Sequence, residues 1–287
     1  MANFKIITDS ACDLPKAMLQ QLDVTTIPLH VMFRGENLVD SVDEGLKEIY
    51  AGLRNGEATS TSAVNPDGWA SVMEPALEQG MDALVLAFSS GLSTTYQSAV
   101  IAADELREKY PDRKICVVDT LCAALGQGLL LWYACQKRDA GMDLEQLAQW
   151  LEDNKLHLCH WVTVNDLMHL KRGGRINATT AVVGTMLQIK PIIHVNDEGK
   201  LISVGKARGR KAAMQVLVDK MKELGEGYDN STVFITHGDC LEDAQQLKDM
   251  VEQQCEVKEI FVGNLGAVIG SHAGPGTLAL FFMGKHR

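Results

Sequence analysis

Six apolar residues without alternation, Ala83–Phe88, set the strongest limit on how this chain folds. A half-exposed strand alternates apolar and polar residues, whereas an unbroken run of this length suits a strand covered on both faces, as in a parallel sheet. Helical patterns surround it. Asn65-Pro66 opens one helix, with an N-cap amide followed by proline at the first helical position, and that helix runs to about Gln79. Another helix follows the polar Ser89–Ser93 loop and is stopped by Pro111. Lys114–Val118 is a second buried-type strand, followed by a helix from Cys122 to Asp139 and one over Leu144–Asn154 capped by Asp143. Upstream, Phe4–Thr8 and Val24–Phe33 read as strands, Pro15–Leu22 and Asp43–Leu53 as helices, and Thr59–Asn65 as a polar loop. The βαβα order predicts a parallel sheet with crossover helices.

The second part has a different rhythm. A strand is expected over Leu156–Val164, a loop over 171–177 and a helix over 178–188. Ile189–Val195 and Leu201–Ala207 flank Asn-Asp-Glu-Gly, a hairpin signal. A helix at 210–224, a strand at 232–236, a helix at 241–254, a strand at 256–262, a glycine-rich loop and an apolar run Thr277–Met283 complete the chain. This is a mixed α+β pattern. The expected division is 1–156 and 157–287, two α/β domains in 287 residues.

Charge and cysteine content exclude several classes. Lys plus Arg number 27 against 37 Asp plus Glu, a net charge of −10, which disfavours nucleic acid and anionic membrane surfaces as partners. No secretory pattern opens the chain and no run reaches ~18 apolar residues. Seven cysteines without a CxxC fit reduced thiols, so a cytoplasmic location is expected. No P-loop, GxGxxG after a strand, nucleophile elbow or HExxH occurs. No cofactor is expected.

Three polar loops follow buried-type strands: Asp9-Ser10, Ser89–Ser93 and Asp119-Thr120. Ligands of open α/β sheets bind at such strand ends. In the middle loop, Ser90 and Gly91 allow close approach, Ser93 and Thr94 add hydroxyls, and the following helix start offers amides to an anion. A simple capped turn is the alternative. Thr59–Ser62 is a second hydroxyl cluster. His272, among Gly270, Gly274 and Gly276, is placed to donate to an anion or to serve the core. Arg175 follows two glycines and either faces an anion or lies on a solvated turn. Lys206, Arg208, Arg210 and Lys211 form the densest basic stretch, a docking patch or an exposed helix start. His157, Cys159, His160 and His169 match no strong zinc spacing, and strand alternation splits the first three between faces.

Five motifs in order — Ile-Thr-Asp-Ser-Ala-Cys-Asp-Leu-Pro (7–15), Thr-Ser-Thr-Ser-Ala-Val-Asn-Pro (59–66), Ser-Ser-Gly-Leu-Ser-Thr-Thr-Tyr-Gln-Ser-Ala (89–99), Lys-Arg-Gly-Gly-Arg-Ile (171–176) and Gly-Ala-Val-Ile-Gly-Ser-His-Ala-Gly-Pro-Gly (266–276) — resemble the DegV family of bacterial fatty-acid-binding proteins over essentially the whole chain. The resemblance implies two α/β domains with a long-chain fatty acid in a tunnel between them. It implies that Thr61 and Ser93 hold the acyl carboxylate, with His272 and Arg175 near the same head group; Ser90 and Thr94 belong to the matching loop. It also implies presentation of the acid to a separate ATP-using fatty acid kinase, whose acyl phosphate product feeds phospholipid synthesis, with contact through Lys206, Arg208 and Arg210. The chain departs from the family pattern at Ala63-Val64 and at Thr94. The competing expectation is an enzyme, a hydrolase or phosphotransferase using Ser93 with His272.

Overall fold

The computed structural model describes residues 3–176 and 188–287. The first seven strands are β1 (Phe4–Asp9), β2 (Val24–Ile27), β3 (His30–Phe33), β4 (Glu36–Val39), β5 (Thr59–Ser62), β6 (Asp82–Ala87) and β7 (Ile115–Asp119). Four form a wholly parallel sheet in the order β2-β1-β6-β7, and the other three form a small antiparallel sheet, β4-β3-β5. The second group, β8 (Leu158–Thr163), β9 (Ile189–Val195), β10 (Leu201–Arg208), β11 (Thr232–His237), β12 (Glu259–Asn264) and β13 (Leu278–Met283), makes a mixed sheet in the order β10-β9-β8-β13-β11-β12. The chain is thus α/β, with a parallel sheet in the first half and a mixed one in the second.

The Ala83–Phe88 run is the central strand β6, with Ala83–Ala87 entirely buried. The helix Pro66–Glu78 and the helix Thr95–Lys109 pack on one face of that sheet. On the other face, the helix Leu125–Asp139 is buried from Leu125 through Leu131 and also contacts the mixed sheet. This helix carries one continuous core from half to half. A third cluster packs the helices Arg210–Leu224 and Leu241–Gln254 onto the far face of the mixed sheet. Among the described residues no helix is long and apolar enough to cross a membrane.

Several boundaries differ from expectation for identifiable reasons. The segment Val24–Phe33 is two strands: Pro28 has no N–H to donate, and the chain leaves the parallel sheet at Ile27 to start the small one at His30. The polar loop expected over Thr59–Asn65 contains β5, which pairs with β3 through Val31↔Thr61 and Phe33↔Thr59. The helix expected from Asp43 begins at Leu46, after Gly45 in a left-handed conformation at φ 72°. The helix expected from Cys122 begins at Leu125. The loop expected from residue 171 is the end of a short helix, Met168–Arg172, and the glycine-rich stretch contains the helix Ala267–Ala273. The helix expected over 178–188 lies, apart from Gln188, outside the described residues. Asp143 caps Leu144–Asn154 as expected, in a full capping box with Gln146.

Candidate functional site: a cavity with one polar end

A cavity of about 480 Å³ lies between the two halves, within the roughly 300–1,000 Å³ usual for small-molecule sites. Thr61, Ser90, Ser93, Thr94, Arg175 and His272 all line it. They arrive from four elements: Thr61 from β5, Ser90–Thr94 from the loop after β6, Arg175 from the segment after the helix Met168–Arg172, and His272 from the last turn of the helix Ala267–Ala273.

Contacts between these residues are specific. Thr61 Oγ1 lies 2.8 Å from His272 Nε2. Ser93 Oγ lies 2.8 Å from Thr95 Oγ1, and it accepts the Thr95 N–H at 3.2 Å. Half-buried Arg175 donates through Nε to the Leu92 carbonyl at 3.2 Å and through a terminal nitrogen to the Gly173 carbonyl. Gly173 must be glycine for reasons of space: a Cβ there would stand 2.3 Å from His272 Nδ1. Burial, and secondarily the Arg175 charge, push the His272 pKa down to about 4, so its imidazole is neutral at pH 7.

Most amides of the loop after β6 are already paired within the protein. The N–H groups of Ser89, Leu92 and Ser93 go to backbone carbonyls. That of Ser90 goes to Asp119 Oδ1, that of Gly91 to Ser89 Oγ and that of Thr95 to Ser93 Oγ. Ser90, Ser93 and Thr94 line the cavity, and of the amides at the helix start that of Thr95 is taken up by Ser93 Oγ. Asp9-Ser10 and Asp119-Thr120 do not line the cavity, although Ala123 and Ala124, farther along the loop after β7, do. Asp9 accepts the amides of Ala11 and Phe88 and the Gln127 side chain, and Asp119 accepts those of Ser90 and Leu121. Both carboxylates tie loops together.

Away from these groups the wall is largely apolar, built from residues such as Phe88, Val162, Ile193, Leu265, Ala279 and Phe281, while the hydroxyls of Thr236 and Thr277 are bonded to backbone carbonyls. His160 is also there, 1% exposed. Its Nδ1 donates to the Leu158 carbonyl at 3.0 Å and its Nε2 accepts the Ala123 N–H at 3.3 Å. With both nitrogens engaged, and with burial holding its pKa well below the ordinary histidine value, it presents an uncharged ring. Among the described residues no cluster of metal-ligating side chains exists. Periodicity gave no means of distinguishing these apolar wall residues from core, and nothing in the sequence marked Thr95 as the partner of Ser93.

Ser93 and His272 form no hydrogen bond to each other; His272 Nε2 faces Thr61 instead. A nucleophile–base pair of the serine-hydrolase kind is not assembled. In the basic stretch, Lys206 and Arg208 belong to β10 and are exposed. They sit opposite Pro191 and Ile189 on β9, and Ile193, two residues beyond Pro191, lines the cavity. Strand alternation therefore puts both cations on the cavity side of the sheet. Arg210 is committed inward: its Nε donates to Asp243 at 2.8 Å, and the side chain is only 17% exposed.

A model of the DegV family, described as "Uncharacterised protein, DegV family", matches residues 3–285. A DegV domain-containing protein of Clostridium perfringens is 46% identical over 99% of this chain and 98% of its own. Among solved structures, a fatty-acid-binding DegV-family protein from Thermus thermophilus aligns at TM-score 0.88 with 33% identity, covering 98% of this chain and 99% of that one. A DegV lipid-binding protein from Thermotoga maritima aligns at TM-score 0.86 with 29% identity over the full length of both.

Proposed function

We propose that this chain, which belongs to the DegV family, is a binding protein that holds one long-chain fatty acid in the cavity between its halves. The observation that carries this reading is the cavity's asymmetry: hydroxyls, one neutral imidazole and one guanidinium at one end, uncharged walls elsewhere. Fatty acid binding in the Thermus relative supports it.

The hydrogen-bond pattern suggests how a carboxylate is held. A neutral His272 protonated at Nε2 donates to Thr61 Oγ1, which turns the Thr61 proton toward the ligand. With Thr95 as the donor in the Ser93–Thr95 hydroxyl contact, the Ser93 proton is freed in the same way. Arg175 supplies positive charge at the same end. Each hydroxyl–carboxylate bond contributes ~1.5–3 kcal/mol. Each buried methylene contributes ~0.8 kcal/mol, so ~15 of them give on the order of 10 kcal/mol before ordering costs. The tail thus supplies most of the affinity and the head group sets direction. Organic extraction of the protein purified from a bacterial host, followed by mass spectrometry, is expected to find one long-chain acid per molecule. An empty protein that also takes up no added acid contradicts the reading.

We further propose that the bound acid is presented to a fatty acid kinase that supplies ATP, giving an acyl phosphate for phospholipid synthesis. The absence of nucleotide-binding motifs and the siting of Lys206 and Arg208 support this; Arg210, paired with Asp243, serves the fold rather than the contact. Seven unpaired cysteines suit a cytoplasmic setting. Converting Lys206 and Arg208 to Glu is expected to leave acid binding unchanged and to slow acyl phosphate formation by a cognate kinase, most at low ionic strength. Phosphorylation at the unmodified rate across a salt series removes this patch from the contact.

A further inference from the structure

The helix that carries His272 has seven residues and no side-chain cap at Gly266. A helix that short has no stability of its own and takes its position from tertiary anchors. Two of these come from the other half of the chain, behind the cavity wall. Buried Asp40 accepts the Val268 N–H through Oδ1 at 2.9 Å and the Ser10 hydroxyl through Oδ2 at 2.7 Å. Ser10 Oγ in turn accepts the Leu29 N–H at 3.0 Å, and Asp40 N–H donates back to the Leu29 carbonyl. Leu29 leads into β3, the strand paired with the Thr61 strand. Tyr50, also buried, donates to the Leu265 carbonyl at 2.9 Å, and its hydroxyl occupies the space over Gly270, 2.4 Å from where a Cβ would stand.

One node therefore holds both partners of the Thr61–His272 contact: the strand edge through Ser10 and Leu29, and the helix through Val268. Asp40 touches neither the cavity nor His272. We infer that Asp40 is a positioning residue for the head-group site, with Tyr50 as the second anchor of the same helix. This rests on the reading of the cavity as a carboxylate site, but the spacing that it fixes exists without ligand.

The test has two arms. In the ligand-free protein, NMR of labelled histidine is expected to show His272 neutral down to pH about 4. Asp40→Ala should move that titration up toward the ordinary value of 6.5 as the helix loosens and water reaches the ring, while Asp40→Asn, which keeps an acceptor for Val268, should restore it. In the second arm, Asp40→Ala should weaken fatty acid binding about tenfold in the otherwise unmodified chain. It should weaken binding by less than about twofold when Thr61→Ala and His272→Ala are already present, because coupled residues are non-additive. An unmoved His272 titration, or equal losses in both backgrounds, overturns the inference. If Asp40→Ala does not fold, Tyr50→Phe, which removes only the bond to Leu265, should shift the same titration in the same direction, and no shift in a folded Tyr50→Phe overturns it. If the unmodified chain binds no acid, the ligand reading falls, while the NMR arm still decides the positioning.

Discussion

His272 and His160 face the same cavity, and both are held neutral by burial. They differ in what their nitrogens do. His160 spends both on backbone groups, the Leu158 carbonyl and the Ala123 amide, and so acts as part of an apolar wall. His272 faces a hydroxyl that itself borders the cavity, and in the proposed site its Nε2 tautomer would orient that hydroxyl toward the carboxylate. Under the proposed function, burial alone does not separate the two histidines; the partner of the ring nitrogen does. Sheet register separates the two as well. The chain runs from His160 along β8 to Val164 and on to Arg175, and from the His272 helix along β13 to Phe281, which pairs with His160. One end of the cavity is thus polar and the other apolar.

The largest expected effect comes from filling the apolar side. Ala279 lines the cavity, opposite Val162 in the sheet. In Ala279→Phe the ring should displace about four methylenes of a long acid, a loss of ~3 kcal/mol or more than a hundredfold. An acid about four carbons shorter should bind almost as before. Calorimetric titration with a chain-length series checks this, and an equal loss at every length breaks the distinction between the two ends. Head-group changes should behave differently. Ser93→Ala and Thr61→Ala should each cost about 1–3 kcal/mol by the same titration, and equally for all chain lengths. A length-dependent loss would mean that these hydroxyls contact the tail.

The smallest effect is in the pH dependence of stability. The unfolded chain protonates His272 near 6.5 but the folded chain only at about 4. Below 6.5 the unfolded state thus binds more protons, so this group's contribution to stability, complete above 6.5, is lost progressively as pH falls toward 4. His160 has the same sign. Urea unfolding at pH 7 and pH 5 should show that His272→Gln reduces the difference between the two, with a residual slope set by other shifted groups, among them His160, His169, His194 and His237 in the same sense and Asp9 in the opposite one. An unchanged difference would place His272 in a wetter setting than its burial implies.

Much of the parallel half was legible because its physics is local. The unbroken run of β6, the Asn65-Pro66 start and the Asp143 capping box are signals written in adjacent residues. β5 was not legible, since Thr-Ser-Thr-Ser has no apolar face of its own and becomes a strand by pairing with β3. The helix Ala267–Ala273 was hidden by glycines that are there for close packing, as Gly270 is against Tyr50. The polar residues of the cavity could be named from motifs. The apolar wall could not, because a residue beside a cavity and a residue in a packed core have the same side chain. Asp40 carried no local signal either, as its role exists only through Ser10 and Val268.

A crystal structure of the chain with a bound saturated fatty acid of about 16 carbons tests the account most directly. The expected result is one acid in the cavity, its carboxylate oxygens within hydrogen-bond distance of Thr61 Oγ1 and Ser93 Oγ, and its methyl end toward His160 and Phe281. A carboxylate at the His160 end, or a lipid bound outside the cavity, would contradict it.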